Sequence, residues 1–335
     1  MPRFLARDGR VSRCTLRAPL LLGLLLVAGC AGPAGSPTLS ARPPAATASS
    51  PTSSSGSAEP TPVDSGPPLP VLGTENFYAD LLAQVGGSRV AASSLLNDPN
   101  ADPHAFESSP QSGALVADSR LVIVNGLGYD AFMQKLLAAS NRPDRVVINV
   151  QQLLGLPSDV NVHIWYDPAT MPKVAEAAAG ALTKLDPPNS GYFEARKAAY
   201  LAGLKPIIDN VAALKARFAG TPIAFTEDVA GYLTDTIGLV VKSPPGFMKA
   251  VEEGIDPGPA DVAAERDLFT MHLVKVLLYN SQVQSPITQQ IHDLAQTNGV
   301  PIVGVAETIP STYQHFQDWQ VAQLDELEQA LLKGA

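Results

Sequence analysis

The chain has 335 residues, a formal charge of −9, 45 % apolar residues and only two cysteines. That length suffices for one large domain or two packed lobes, and so acidic a body does not suit nucleic acid or anionic membrane surfaces as partners. Cations suit it better, although acidity also serves simply to keep a secreted protein soluble.

Arg3, Arg7, Arg10, Arg13 and Arg17 precede an apolar run over 20–28 and then Gly29-Cys30. A basic segment, a short apolar segment and a small-residue boundary read as a secretory signal over 1–29, too short to remain as a membrane span. The stretch Leu26-Val27-Ala28-Gly29-Cys30 resembles a bacterial lipobox, which implies lipidation of Cys30 as the first residue of the mature chain. An ordinary signal with an incidental cysteine is the alternative. Cys14 leaves with the signal, so no disulfide forms within the mature chain and any metal must be held by nitrogen and oxygen. Residues 31–70 are rich in Ala, Gly, Pro, Ser and Thr, lack aromatic residues, and carry only Arg42, Glu59 and Asp64 as charges. Such a stretch cannot offset its ordering entropy by burial. With Cys30 it reads as a disordered, lipidated tether over 30–70, its ends on the order of 35 Å apart as a coil.

Beyond it, short apolar runs rich in β-branched residues occur at 121–124, 146–148, 222–225, 275–279 and 301–305 and a further strand-like run at 89–95, with helical patterns at 132–139, 171–185, 229–236 and 288–296. Near-continuous apolar strands alternating with amphipathic helices predict an α/β fold with parallel sheets covered on both faces. The longest helical pattern, 192–218, lies between Asp186-Pro187-Pro188-Asn189-Ser190-Gly191 and Gly220-Thr221-Pro222. Pro206 should kink or split it. It reads as a connector over 191–219, between an N-terminal lobe at 71–190 and a C-terminal lobe at 220–335. The residues alone leave a single continuous sheet open.

Five histidines are present. His104 lies in a turn-rich loop after the run at 89–95, and His163 precedes Ile164-Trp165 and a helix start at Asp167-Pro168. Loops beyond strand ends are where open α/β sheets bind ligands. Two histidines seldom complete a transition-metal shell, so carboxylates are expected at equivalent strand ends. Glu227 follows the strand at 222–225 and Glu307 the strand at 301–305. Either acid alternatively serves only to favour a helix N-terminus. His272, His292 and His315 read as structural or solvated, although their spacing does not forbid a rival site.

The segments Asn76-Phe77-Tyr78, Asp102-Pro103-His104, Asn125-Gly126-Leu127-Gly128-Tyr129, His163-Ile164-Trp165-Tyr166-Asp167-Pro168, Tyr279-Asn280-Ser281-Gln282 and Val303-Gly304-Val305-Ala306-Glu307-Thr308 resemble the motifs of the solute-binding proteins of zinc and manganese ABC transporters. The resemblance covers nearly the whole folded part. It implies two lobes, each with a parallel sheet flanked by helices, joined by one long helix. It also implies one metal ligand from each of four regions: His104, His163, Glu227 and Glu307. Many zinc-binding members carry a third histidine where this chain has Glu227, and a histidine-rich acidic loop; both are absent. Two imidazoles and two carboxylates form a harder shell, which tilts toward manganese or ferrous iron while zinc still accepts it. Glu307, where the family often has aspartate, is longer by a methylene and need not reach the same point.

The expected function is that of an extracytoplasmic, lipid-anchored, monomeric receptor. It captures Zn²⁺ or Mn²⁺, with Fe²⁺ as a third choice, and delivers the ion to an ABC transporter permease. No catalytic cofactor and no enzymatic activity are expected: a metallohydrolase keeps an open metal position for water, and no His-Glu-x-x-His helix is present. A surface adhesion role, borne by some relatives, has no independent support in the sequence.

Overall fold

The computed structural model describes residues 61–334. The signal, Cys30 and the tether up to residue 60 lie outside them. The first half contains β1 (Leu69–Glu75), α1 (Asn76–Gly86), β2 (Val90–Leu96), α2 (Pro110–Asp118), β3 (Leu121–Val124), α3 (Phe132–Ala139), β4 (Val146–Asn149), α4 (Val150–Leu154) and α5 (Thr170–Leu185). Then come α6 (Ser190–Gly203) and α7 (Lys205–Phe218). The second half contains β5 (Pro222–Phe225), α8 (Gly231–Ile237), β6 (Val240–Val241), α9 (Pro245–Glu252), α10 (Pro259–Thr270), β7 (Leu277–Asn280), α11 (Pro286–Thr297), β8 (Ile302–Val305) and α12 (Phe316–Gly334).

Two separate sheets form, ordered β2-β1-β3-β4 and β6-β5-β7-β8, and every pairing in them is parallel. The one-sheet alternative is therefore excluded. All four residues of β3, and all four of β7, are buried, as parallel strands covered on both faces require. Both sheets reverse direction beside their first strand, a switch point outside which open α/β sheets bind ligands. The sequence pattern misses two strands. β6 is only two residues long, and β1 begins inside the Pro-rich stretch and carries Gly73. That glycine is required: a Cβ there would lie 2.2 Å from the backbone nitrogen of Ala79, where α1 folds back on the strand.

Residues 63–66, which composition assigns to the expected tether, are bonded to the fold. The Val63 N–H donates to Asn189 Oδ1 at 2.7 Å, Ser65 Oγ to Asp186 Oδ1 at 2.7 Å, and Arg89 Nη1 to the Gly66 carbonyl at 2.9 Å. Arg89 and Asp186 form a buried ion pair at 3.1 Å beneath them. Polar clamping, which hydropathy does not register, fixes residues 63–66 to the corner between α5 and α6.

The pattern at 192–218 is not one helix but two, parted at Leu204. Pro206 falls in the first turn of α7, where its missing N–H leaves no bond unmade. The main apolar cluster runs through both halves, from Val71, Leu81 and Ile123 through Trp165 to Ile223, Val303 and Leu327. Trp165 stacks on Phe77 with ring centroids 4.7 Å apart. Among the described residues no helix is long and apolar enough to cross a membrane.

Candidate metal centre

His104 sits on a single 3-10 turn, Pro103–Ala105, entered through Asp102, whose carboxylate accepts the His104 backbone N–H at 2.8 Å. Its backbone is exposed, but its side chain is only 23 % exposed and turns inward. His163 is wholly buried. Asn161 Oδ1 accepts its backbone N–H at 2.9 Å and lies 2.8 Å from Nδ1, which places the proton there and leaves the Nε2 lone pair free. Glu227 and Glu307 lie two residues beyond the carboxyl ends of β5 and β8, and both are fully buried.

These four side chains, drawn from four stretches of chain, meet. His104 Nε2 is 3.5 Å from Glu227 Oε1 and 3.3 Å from Glu307 Oε2; His163 Nε2 is 3.7 and 3.4 Å from the same oxygens. One ligating atom from each lies within 4.8 Å of all the others, and no other such cluster of three or more His, Cys, Asp or Glu is present among the described residues. Two of these atoms, His163 Nε2 and Glu227 Oε1, are buried without a hydrogen-bond partner. Buried polar atoms are nearly always paired, so orphans converging on one point mark a place for something else. Two imidazole nitrogens and two carboxylate oxygens fit a divalent transition metal. The extra methylene of Glu307 does not carry it out of reach.

The electrostatics agree. Burial opposes ionisation of Glu307, but the facing imidazoles of His104 and His163 outweigh it and hold the carboxyl well below the usual range. Glu227 is pushed up, by burial first and by the Glu307 charge after it. Burial disfavours a charged His104, yet Glu227 and Glu307 overcome that and raise it to about 11. His163 is raised in the same way, burial opposing and Glu307 prevailing.

A second layer holds the acids. Tyr129 donates its hydroxyl to Glu307 Oε2 at 2.9 Å from a turn in which Gly126, Leu127 and Gly128 all have positive φ, 84°, 57° and 86°. The Asn280 amide nitrogen donates to Glu227 Oε2 at 2.6 Å and to Glu307 Oε1 at 2.8 Å. Gln282 Oε1 accepts the N–H of Glu307 at 2.5 Å and of Thr308 at 3.2 Å, while its Nε2 donates to the Ala101 carbonyl at 3.0 Å in the His104 loop. Tyr166 donates to the Ala306 carbonyl at 2.7 Å. The sequence motifs contain all four residues without giving any a role; the signal was their place at strand ends and in buried turns.

The remaining histidines stand apart. His272 is exposed with φ 52°, His292 pairs with Asp293 at 3.2 Å, and His315 with Asp80 at 2.8 Å.

Fold and donor set together define a class: a two-sheet α/β protein with a candidate metal centre where its strand ends meet. The model of the ZnuA family, described as zinc-uptake complex component A, periplasmic, matches residues 71–330, and the chain belongs to that family. It is 26 % identical over 149 residues to the manganese-binding lipoprotein MntA of Halalkalibacterium halodurans, covering 43 % of this chain and 49 % of that one. It is 22 % identical over 256 residues to the high-affinity zinc uptake system protein ZnuA of Bacillus subtilis, covering 71 % and 77 %. The chain thus spans about half the length of the first of these relatives and over three-quarters of the second. The periplasmic zinc-binding protein TroA of Treponema pallidum shares the fold, with a TM-score of 0.67 at 20 % identity over 79 % of this chain and 99 % of that one.

Proposed function

We propose that this protein is an extracytoplasmic receptor that captures one divalent transition metal on His104, His163, Glu227 and Glu307 and delivers it to an ABC transporter permease. The observation that carries this reading is the convergence of four N and O donors, two of them orphaned in a buried site. The named activities of the relatives, manganese binding and zinc uptake, support it. In this reading residues 71–190 and 220–335 are two lobes, 191–219 is their connector, and Cys30 anchors the chain by lipid. The protein works as a monomer and carries out no catalysis.

His104 and His163 belong to the first lobe, Glu227 and Glu307 to the second, so metal capture and lobe closure are one event. The bonds that stitch the lobes limit the opening to a small hinge or shear movement. Asn161 Nδ2 donates to the Asp228 carbonyl at 2.6 Å, Tyr232 to the Asn161 carbonyl at 2.9 Å, and Asn76 exchanges two bonds with Ile309 at 2.8 and 3.0 Å.

The test is growth of a gene-deleted strain under metal chelation. Wild type restores growth, and Glu227→Ala and His163→Ala do not; rescue by both variants overturns the reading. A deletion strain whose adhesion stays lost at saturating external metal would instead favour the adhesion role.

A further inference from the structure

The geometry points to Asn280 as the residue that sets the metal preference of this site: by tying down the outer oxygen of both carboxylates, it makes the shell four-coordinate and zinc-selective. This inference rests on the receptor reading above.

Asn280 ends β7 and is fully buried. Its amide nitrogen carries two hydrogens, and the two acids consume both, one through Glu227 Oε2 and the other through Glu307 Oε1. The amide cannot turn away. Its Oδ1 accepts the Gln282 backbone N–H at 3.0 Å, and its own backbone N–H donates to Thr226 Oγ1 at 3.0 Å. One amide thus fixes the orientation of both carboxylates and relieves the repulsion between them.

What remains facing the centre is one oxygen from each acid. Glu227 Oε1 is the orphaned one, and Glu307 Oε2 faces both imidazoles. Tyr129 donates to that same Glu307 oxygen, which further restrains its carboxylate from swinging to offer both atoms. On the histidine side, Asn161 ties up Nδ1 of His163, leaving only Nε2 to donate. The set is therefore two nitrogens and two single oxygens. Zinc takes four such ligands tetrahedrally, whereas manganese prefers six oxygen-rich positions, met here only by bidentate carboxylates or added water. The donor types, read alone, tilt toward manganese; the restraint on their denticity reverses that tilt.

Co²⁺ reports the coordination number directly, because its visible bands are intense in a tetrahedral site and weak in a five- or six-coordinate one. The full mature chain, its Asn280→Ala variant and its Asn280→Ser variant are each loaded with Co²⁺, and in parallel with equimolar Zn²⁺ and Mn²⁺ for elemental analysis, after circular dichroism has established folding. Intense bands are expected in wild type. They should weaken in Asn280→Ala, with the zinc-to-manganese ratio falling about 10-fold or more, on the scale of the affinity that loss of an outer partner of a ligand removes. Asn280→Ser, which keeps one donor and holds one carboxylate, should fall between, and it carries the test if the alanine variant does not fold. Weak bands in metal-loaded wild type, or bands and ratio unchanged in both variants, would overturn the role of Asn280 while leaving the receptor reading intact. A wild type that holds no metal at all would overturn both.

Discussion

Replacing Glu265 by glutamine should stabilise the metal-free protein, and increasingly so as the pH rises. Glu265 lies on α10, is fully buried, and has one partner, Ser243 Oγ at 3.1 Å on Oε1, while Oε2 has none. Burial pushes its carboxyl up to about 8 from 4.5, with Ser243 offsetting only part of that. Between those two values the folded chain holds one proton more than the unfolded chain. This contribution to stability is therefore whole below pH 4.5 and is lost as the pH rises to about 8. At about 1.36 kcal/mol per decade, the loss is roughly 3 kcal/mol at pH 7 and 4–5 kcal/mol above pH 8. Glutamine has the same shape and cannot ionise. Urea unfolding of both proteins from pH 4 to 9, with chelator present, should give a difference in unfolding free energy that is near zero at pH 4 and climbs to that plateau. A difference that stays flat across the range would refute the argument. The consequence reaches the metal centre, since Ser243 also accepts the N–H of Phe225 at 2.8 Å, at the end of the strand that presents Glu227.

Three further outcomes are expected. Metal binding should release protons, because Glu227 and Glu307 raise both imidazoles, His104 to about 11. Affinity should then keep rising with pH beyond 7 rather than levelling off, and calorimetry in buffers of different ionisation enthalpy would measure the release; no dependence on buffer would contradict it. Gln282→Ala should leave the buried N–H groups of Glu307 and Thr308 without their acceptor and free the His104 loop, costing about 1–3 kcal/mol and about 10–100-fold in metal affinity, read by urea unfolding and competition with a chelator. Arg89→Ala should strand buried Asp186 and release residues 63–66, costing about 3–5 kcal/mol and opening that segment to limited proteolysis; an unchanged cleavage pattern would argue against the clamp.

How much of this was legible in the sequence depended on whether the cause was local. The runs at 121–124 and 222–225 became strands of those lengths because their burial follows from an uninterrupted apolar pattern, and the helix at 132–139 has the expected ends although only Met133 of it is buried. His104, His163 and Glu307 were legible as candidates because each lies in a motif at a strand end or turn, and Glu227 because it follows the apolar run at 222–225. Tyr129, Asn280 and Gln282 were not. Their work lies in bonds to residues as far as 184 positions away along the chain, which no local pattern encodes. β1 was hidden by the Pro-rich stretch before it and by a glycine that packing, not flexibility, demands. Pro206 announced a break, but its place inside the first turn of the second helix put the break at Leu204.

The most direct test of the central claim is the metal content of the purified mature chain after exposure to equimolar zinc, manganese and ferrous iron without oxygen. One ion per chain, absent from Glu227→Ala and His163→Ala proteins that still fold, is the result expected of four converging donors. A wild-type chain that retains no metal, or variants that retain as much as wild type, would contradict it.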